Sequence, residues 1–126
     1  MISTLQLLSA INTELDTVSA RSYLNIAPQM SVYPFVVISV ISTPTEYTFS
    51  TVMSDIRIQF SIFDNNSNMS SLLALASTVE TTFEEYQNGG IYCSHIENER
   101  GPIYNEKEHY YQYDMDYIFR VQRAKI

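Results

Sequence analysis

Cys93, His95, Glu97 and Glu99 stand two residues apart in a stretch of strand-like composition, and each of these side chains can bind Zn²⁺. On a regular strand that spacing puts all four on one side. Alternate positions along one strand rarely close a tetrahedron, however, and the chain has neither a second thiol nor a C-x-x-C pair. His109 could complete a set from a distance in sequence; a mixed interface or solvent face is the plainer reading.

Other chemistry fares no better. Ser, His and Asp are present, but no Gly-x-Ser-x-Gly elbow presents a nucleophile. Glu84 with Glu85, and Asp114 with Asp116, have the form of carboxylate pairs for acid and base work, yet such spacing more often marks a solvated face. Gly89-Gly90 follows a predicted helix instead of opening one, which suits a C-cap and not a phosphate cradle. Asn65-Asn66-Ser67 and Asn68-Met69-Ser70 match glycosylation sequons, but without an export signal they read as turn residues. No catalytic residue, metal or cofactor is expected, and the chain reads as a non-enzyme.

The elements that would position these residues are clearer. Ile56, Ile58, Phe60 and Ile62 alternate with Asp55, Arg57, Gln59 and Ser61, which predicts a strand from Met53 to Asp64 with one buried and one wet face. Phe35 to Ser42 is Val and Ile on both faces, as in a central strand covered on each side. From Ser42 to Thr51 the density falls around Tyr47 and Phe49, predicting a hairpin whose arms reach beyond the sheet. A helix is predicted from Thr4 to Ser19, with Leu7, Ile11, Leu15 and Val18 at helical spacing and Leu5 and Leu8 widening the stripe. Arg21 to Pro34 breaks the pattern, with Pro28 and Pro34 marking turns and Tyr23 to Ile26 reading as a short extended piece. A second helix, capped from Asn65 to Asn68, carries Leu72, Leu75, Ala76, Val79, Phe83 and Tyr86 and stops at Gly89.

Two strands finish the chain. Ile91 to Asn98 alternates weakly and is followed by a polar connection, Arg100 to Glu108. From Tyr110 to Gln122 the alternation is regular, with Tyr111, Tyr113, Met115, Tyr117, Phe119 and Val121 on one face. At 3.3 Å per residue this strand would be about 40 Å long, which predicts that part of it pairs or packs outside the protomer. The expected fold is α+β: a mainly antiparallel sheet of four to five strands with two helices on one face, in the order α-β-β-α-β-β.

With 126 residues the chain reads as a single domain. One cysteine excludes an internal disulfide, and no segment approaches the roughly 20 apolar residues of a membrane span, so no membrane partner and a soluble intracellular setting are expected. The net charge of −7 is uneven. Residues 80–116 carry −7, while residues 117–126 carry +3 from Arg120, Arg123 and Lys125. So strong an acidic block argues against gripping a phosphate backbone, and against base stacking by the tyrosines between Tyr104 and Tyr117.

Tyr33-Pro34-Phe35-Val36-Val37-Ile38 leading into a strand, a threonine- and aromatic-bearing excursion, then Asp55 to Phe63 and a helix beginning in Asn/Ser-rich sequence together resemble the tail completion, or tail terminator, proteins of long-tailed bacteriophages. The opening helix and Ala27-Pro28-Gln29 share the likeness, which spans most of residues 3–90; after Gly90 it is loose. The resemblance implies a structural virion protein of the tail-neck region, assembled in the host cytoplasm. It would form a homo-oligomeric ring, typically a hexamer, capping the head-proximal end of the tail tube, with the tube protein and head-completion or connector proteins as partners. DNA would pass through the lumen without specific binding.

A ring uses heterologous interfaces, so each protomer needs two different contact surfaces, and tyrosines supply contact area at low entropy cost. Candidate assembly residues are therefore Tyr47, Phe49 and Thr51 in the excursion and Tyr110, Tyr111 and Tyr113 in the last strand. For Tyr47 and Phe49 two readings stand, ordinary hairpin aromatics or an arm that docks on a neighbour. Alternatives for the whole chain are another neck component, such as a head-closure or connector protein, and a small-ligand-binding α+β domain.

Overall fold

The computed structural model describes residues 4–18, 20–24, 33–42, 45–47, 51–65, 69–84 and 86–124, with side chains at all of these but 4, 42, 45–47, 51–54, 88, 92–95 and 122–124. The chain forms α1 (Thr4–Thr17), β1 (Ser22–Leu24), β2 (Phe35–Ser42), β3 (Thr45–Tyr47), β4 (Thr51–Asp64), α2 (Ser70–Phe83), β5 (Gln87–Asn88), β6 (Ile91–Asn105) and β7 (Tyr110–Ala124). The strands share one sheet in the order β1-β2-β4-β7-β6-β5, and β3 pairs with β4 beyond the end of β2. Only β1 with β2 is parallel among these pairs; the rest are antiparallel. The four long strands and two helices follow the expected α-β-β-α-β-β order, with β1, β3 and β5 as short additions.

Period-two patterning fixes the centre of the sheet. Ile56, Ile58, Phe60 and Ile62 of β4 and Met115, Tyr117, Phe119 and Val121 of β7 are all buried in one cluster. Fourteen consecutive partners, Thr51↔Ala124 to Asp64↔Tyr111, join the two strands without a bulge. Leu7, Ile11 and Leu15 of α1 and Leu72, Ala76, Val79 and Phe83 of α2 complete the same cluster, so both helices cover one face. Phe60 stacks on Phe83 with centroids 5.1 Å apart and meets Tyr117 edge-on at 5.5 Å. Burial of each such ring stabilises the fold by about 1.5–3 kcal/mol.

Several boundaries differ from those expected. α1 ends at Thr17, because the N–H groups of Val18 and Ala20 both turn back to the Leu15 carbonyl. Val18 and Leu5 are exposed and lie off the buried stripe. The α2 N-cap is Met69 in the left-handed region (φ 60°), without a side-chain cap, and not an Asn of 65–68. α2 stops at Phe83, where Glu84 turns extended. Gly89 is therefore no helix cap: it sits at φ +60° between Asn88 and Ile91, in the two-residue turn of the β5–β6 hairpin.

The largest departure is β6. In place of a polar connection from Arg100, the strand continues to Asn105, and only residues 106–109 form the turn into β7. Gly101 makes this continuation possible. Its φ is +133°, and a Cβ there would lie 2.9 Å from the Gln112 carbonyl oxygen and 3.1 Å from Tyr113 Cα. The register of β6 against β7 shifts three times, between Cys93 and His95, Ile96 and Asn98, and Arg100 and Ile103. β7 has partners on both sides within the chain, so its length alone does not require pairing outside the protomer. The outer edge of β6 beyond Tyr92 has no strand partner among the described residues. Among the described residues no helix is long and apolar enough to cross a membrane.

Candidate assembly surfaces

The face of the sheet turned away from the helices carries cross-strand ion pairs. Arg120 Nε donates to Asp55 Oδ1 at 2.7 Å and Nη2 to Oδ2 at 3.1 Å. Arg57 reaches past β7 to Glu97 on β6, 2.9 Å away, and Arg100 lies 3.0 Å from Asp116 and 3.9 Å from Asp114. The hydrogen bond from Arg120 holds the Asp55 carboxyl below its ordinary value, against partial burial and with the further attraction of Arg120 and Arg57. The bond to Asp116 likewise raises Arg100 further above its ordinary value, against its desolvation. These contacts lock β4, β7 and β6 side by side. Cross-strand charge complementarity was the available signal, but using it requires the register.

The β6 bulges also separate the four metal-capable residues of the sequence. Cys93 is paired with Phe119 but His95 with Ile118, neighbours that belong to opposite faces of β7. Glu97 meets Arg57 on the open face, whereas Glu99 pairs with Met115 and interacts with Tyr113 on the helix side. Each inserted residue inverts the alternation, so spacing by two no longer means a shared face. The side chains of Cys93 and His95 lie outside those described, and among the described residues no group of three or more His, Cys, Asp or Glu is placed to hold a metal.

Five of the six candidate assembly residues are described, and they fall at two ends of the β4–β7 ladder. Thr51 is opposite Ala124 and Tyr47 opposite Val52, at one end. Phe49 lies outside the described residues. Tyr110, Tyr111 and Tyr113 lie toward the other end, where Tyr111 faces Asp64. Thirteen steps at 3.3 Å separate the two ends by about 40 Å. The structure does not gather these residues into one surface.

Strand alternation divides the tyrosines further. Tyr110 packs edge-on against Phe63 at 5.3 Å, in a chain of rings that continues through Phe35 to Tyr23 and Tyr33. Tyr111 contacts Tyr104 at 4.7 Å, and Tyr113 packs on the core. Burial raises the Tyr113 phenol above its ordinary value, aided by the charge of Glu99, a hydrogen bond to Glu99 and the charge of Glu80. All three tyrosines are half-buried. Beside them Ile103 and Tyr104 are 50% and 46% exposed. Sequence reasoning missed this pair because it placed them in a polar connection.

No protein-family model matches the chain, and no curated protein does. The fold, however, has a counterpart. A chain from the virion of a native gene transfer agent particle superposes with a TM-score of 0.50 at 15% identity, covering 94% of this chain and 91% of that chain. At that identity the likeness is one of fold. It takes in both helices and the sheet together, since nearly the whole of each chain is covered.

Proposed function

We propose that this protein is a structural component of a phage-like virion. It forms a ring, typically hexameric, on the head-proximal end of the tail tube, where it ends tube growth and joins tail to head. The observation that carries the reading is the full-length fold likeness to a virion chain. The resemblance of residues 3–90 to tail terminators narrows it from virion component to neck ring. Two separated ends bearing tyrosines fit the need of a ring for unlike surfaces, and the outer edge of β6 adds unpaired backbone that a neighbour can cover. No chemistry is assigned. DNA passes through the lumen without being held, which the acidic balance favours.

Isolated tail tubes incubated with the purified protein test this directly. Rings seen by electron microscopy at one tube end, with further tube subunits no longer adding, are the expected result. A protein that stays monomeric and leaves tube growth unchanged would sink the proposal. A head-closure or connector role is the second reading, and deletion separates the two. Loss of a terminator leaves overlong or unjoined tails beside filled heads, whereas loss of a closure protein lets packaged DNA leak.

A further inference from the structure

We infer that the acidic β6–β7 turn of one copy docks on the β1 margin of the next copy, around Arg21. This rests on the ring reading and names one of its contacts. Five of the seven Lys and Arg side chains are described. Arg57 is engaged by Glu97, Arg100 by Asp114 and Asp116, and Arg120 by Asp55, while Lys107 belongs to the turn itself. That leaves Arg21, which is exposed and meets no carboxylate among the described residues. Its Nη1 donates to the backbone carbonyls of Pro34 at 3.2 Å and Tyr33 at 3.5 Å, which hold the guanidinium at the start of β1. Glu106 and Glu108 are the opposite case: both are exposed, and neither forms an ion pair among the described residues.

Arg21 and the turn lie near one end of the sheet, at its two lateral margins. Ser22 is level with Tyr113 through Val36 and Ile62, and β2, β4 and β7 stand between β1 and β6. β1 and β6 run in opposite directions, so copies set side by side in one orientation bring antiparallel edges together. A stagger of two residues sets Tyr23 of one copy opposite Ile103 of the other, and Arg21 opposite Asn105 and beside Glu106. Register puts Tyr23 and Ile103 on the open face and Leu24 and Tyr104 on the helix side. Ile103 and Tyr104 are about half exposed and Leu24 is 39% exposed, so apolar side chains meet on each face while acid meets base at the end. Gly101 and Pro102 interrupt the outer backbone of β6 at this level, so side chains and not a long shared ladder carry the contact. Unlike margins make the contact head-to-tail, and such contacts close into a ring when the rotation between copies allows.

Charge-reversal variants test the contact. The first carries Arg21→Glu, the second Glu106→Lys with Glu108→Lys, and the third all three changes in one chain. The readouts are the mass of the assembled species by light scattering, free and on tail tubes, and circular dichroism to establish folding. The first two should each assemble roughly tenfold more weakly than wild type, and the third should recover wild-type assembly, because its reversed surfaces complement each other. Overall charge predicts a different order: the net charge of −7 becomes −9, −3 and −5 in the three variants, which would favour assembly of the second. Arg21→Gln removes the charge with less disturbance and should weaken assembly roughly fivefold, so the contact stays testable where Arg21→Glu does not fold. Ile103→Ser should weaken association about tenfold with an unchanged thermal midpoint. Arg21→Gln or the second variant assembling like wild type, or a folded third variant that stays weak, overturns the contact while the ring reading stands. Wild-type protein that never multimerises, with or without tubes, overturns both.

Discussion

Arg120 faces Asp55 directly across the β4–β7 ladder and holds it with two nitrogens, at 2.7 and 3.1 Å. Paired acceptors on a planar guanidinium fix geometry as well as charge. Both side chains remain partly in water, so the pair contributes about 0.5–1 kcal/mol. The folded-state value of Asp55 lies below 3.8, so the contribution is fully present above that pH and fades as pH falls through the depressed value. Asp55→Asn should therefore lower stability at pH 7 in urea unfolding, and the difference from wild type should vanish on strong acidification. A difference that persists at low pH would show that charge is not the cause.

Gly101 is the residue on which the length of β6 depends. A methyl group there meets backbone atoms of Gln112 and Tyr113, which cannot swing away, and φ +133° is strained for any L side chain. Gly101→Ala should cost about 1–3 kcal/mol in equilibrium unfolding. Gly89 has open space around the same added atom, so Gly89→Ala at φ +60° should cost less, about 1 kcal/mol.

Met69 is the converse case. It opens α2 in the left-handed region with no side-chain cap, although its carbonyl accepts the first helical bond from Leu73 at 3.0 Å. Met69→Gly removes the strain and should raise stability by about 1 kcal/mol, visible as a higher thermal midpoint. A lower midpoint would mean that the half-buried Met69 side chain contributes more than its backbone costs.

Tyr113 ties stability to alkaline pH. Its phenol is raised above 10.0, chiefly by burial, so the neutral ring contributes fully below the ordinary tyrosine value, and that contribution is lost as pH rises through the folded value. Tyr113→Phe should track wild type near neutrality, apart from the loss of one hydrogen bond worth about 1 kcal/mol. It should then lose less stability than wild type above pH 10.

The parts of this fold legible in the sequence are those where burial alone sets the pattern. Ile56 to Ile62 and Met115 to Val121 needed only alternation, and Leu72 to Phe83 only a helical stripe. What stayed hidden is irregular backbone. Tyr86 continues the three-residue step from Phe83 and so mimics another helical turn, yet it lies beyond the end of α2, its N–H bonded back to the Phe83 carbonyl and its buried ring packed edge-on against Phe83 at 5.4 Å. The β6 bulges mask Ile103 and Tyr104, because a sequence window cannot show that Gly101 and Pro102 are absorbed by a register shift. The short strand Ser22–Leu24 overlaps the extended piece expected at Tyr23 to Ile26, but its parallel pairing was hidden, because it is held by contacts distant in sequence, the Val36 N–H to the Arg21 carbonyl and the Ser22 hydroxyl to the Asn12 carboxamide oxygen. The candidate site was legible as residue types and not as a surface, since which tyrosines share a side depends on register.

The uninterrupted run of fourteen partners between β4 and β7 has a mechanical outcome. Without a bulge to act as a hinge, those two strands run as one continuous ladder, so the placement of Thr51 and Ala124 also sets that of Asp64 and Tyr111. β6, flexed at three irregular joints, can yield beside it.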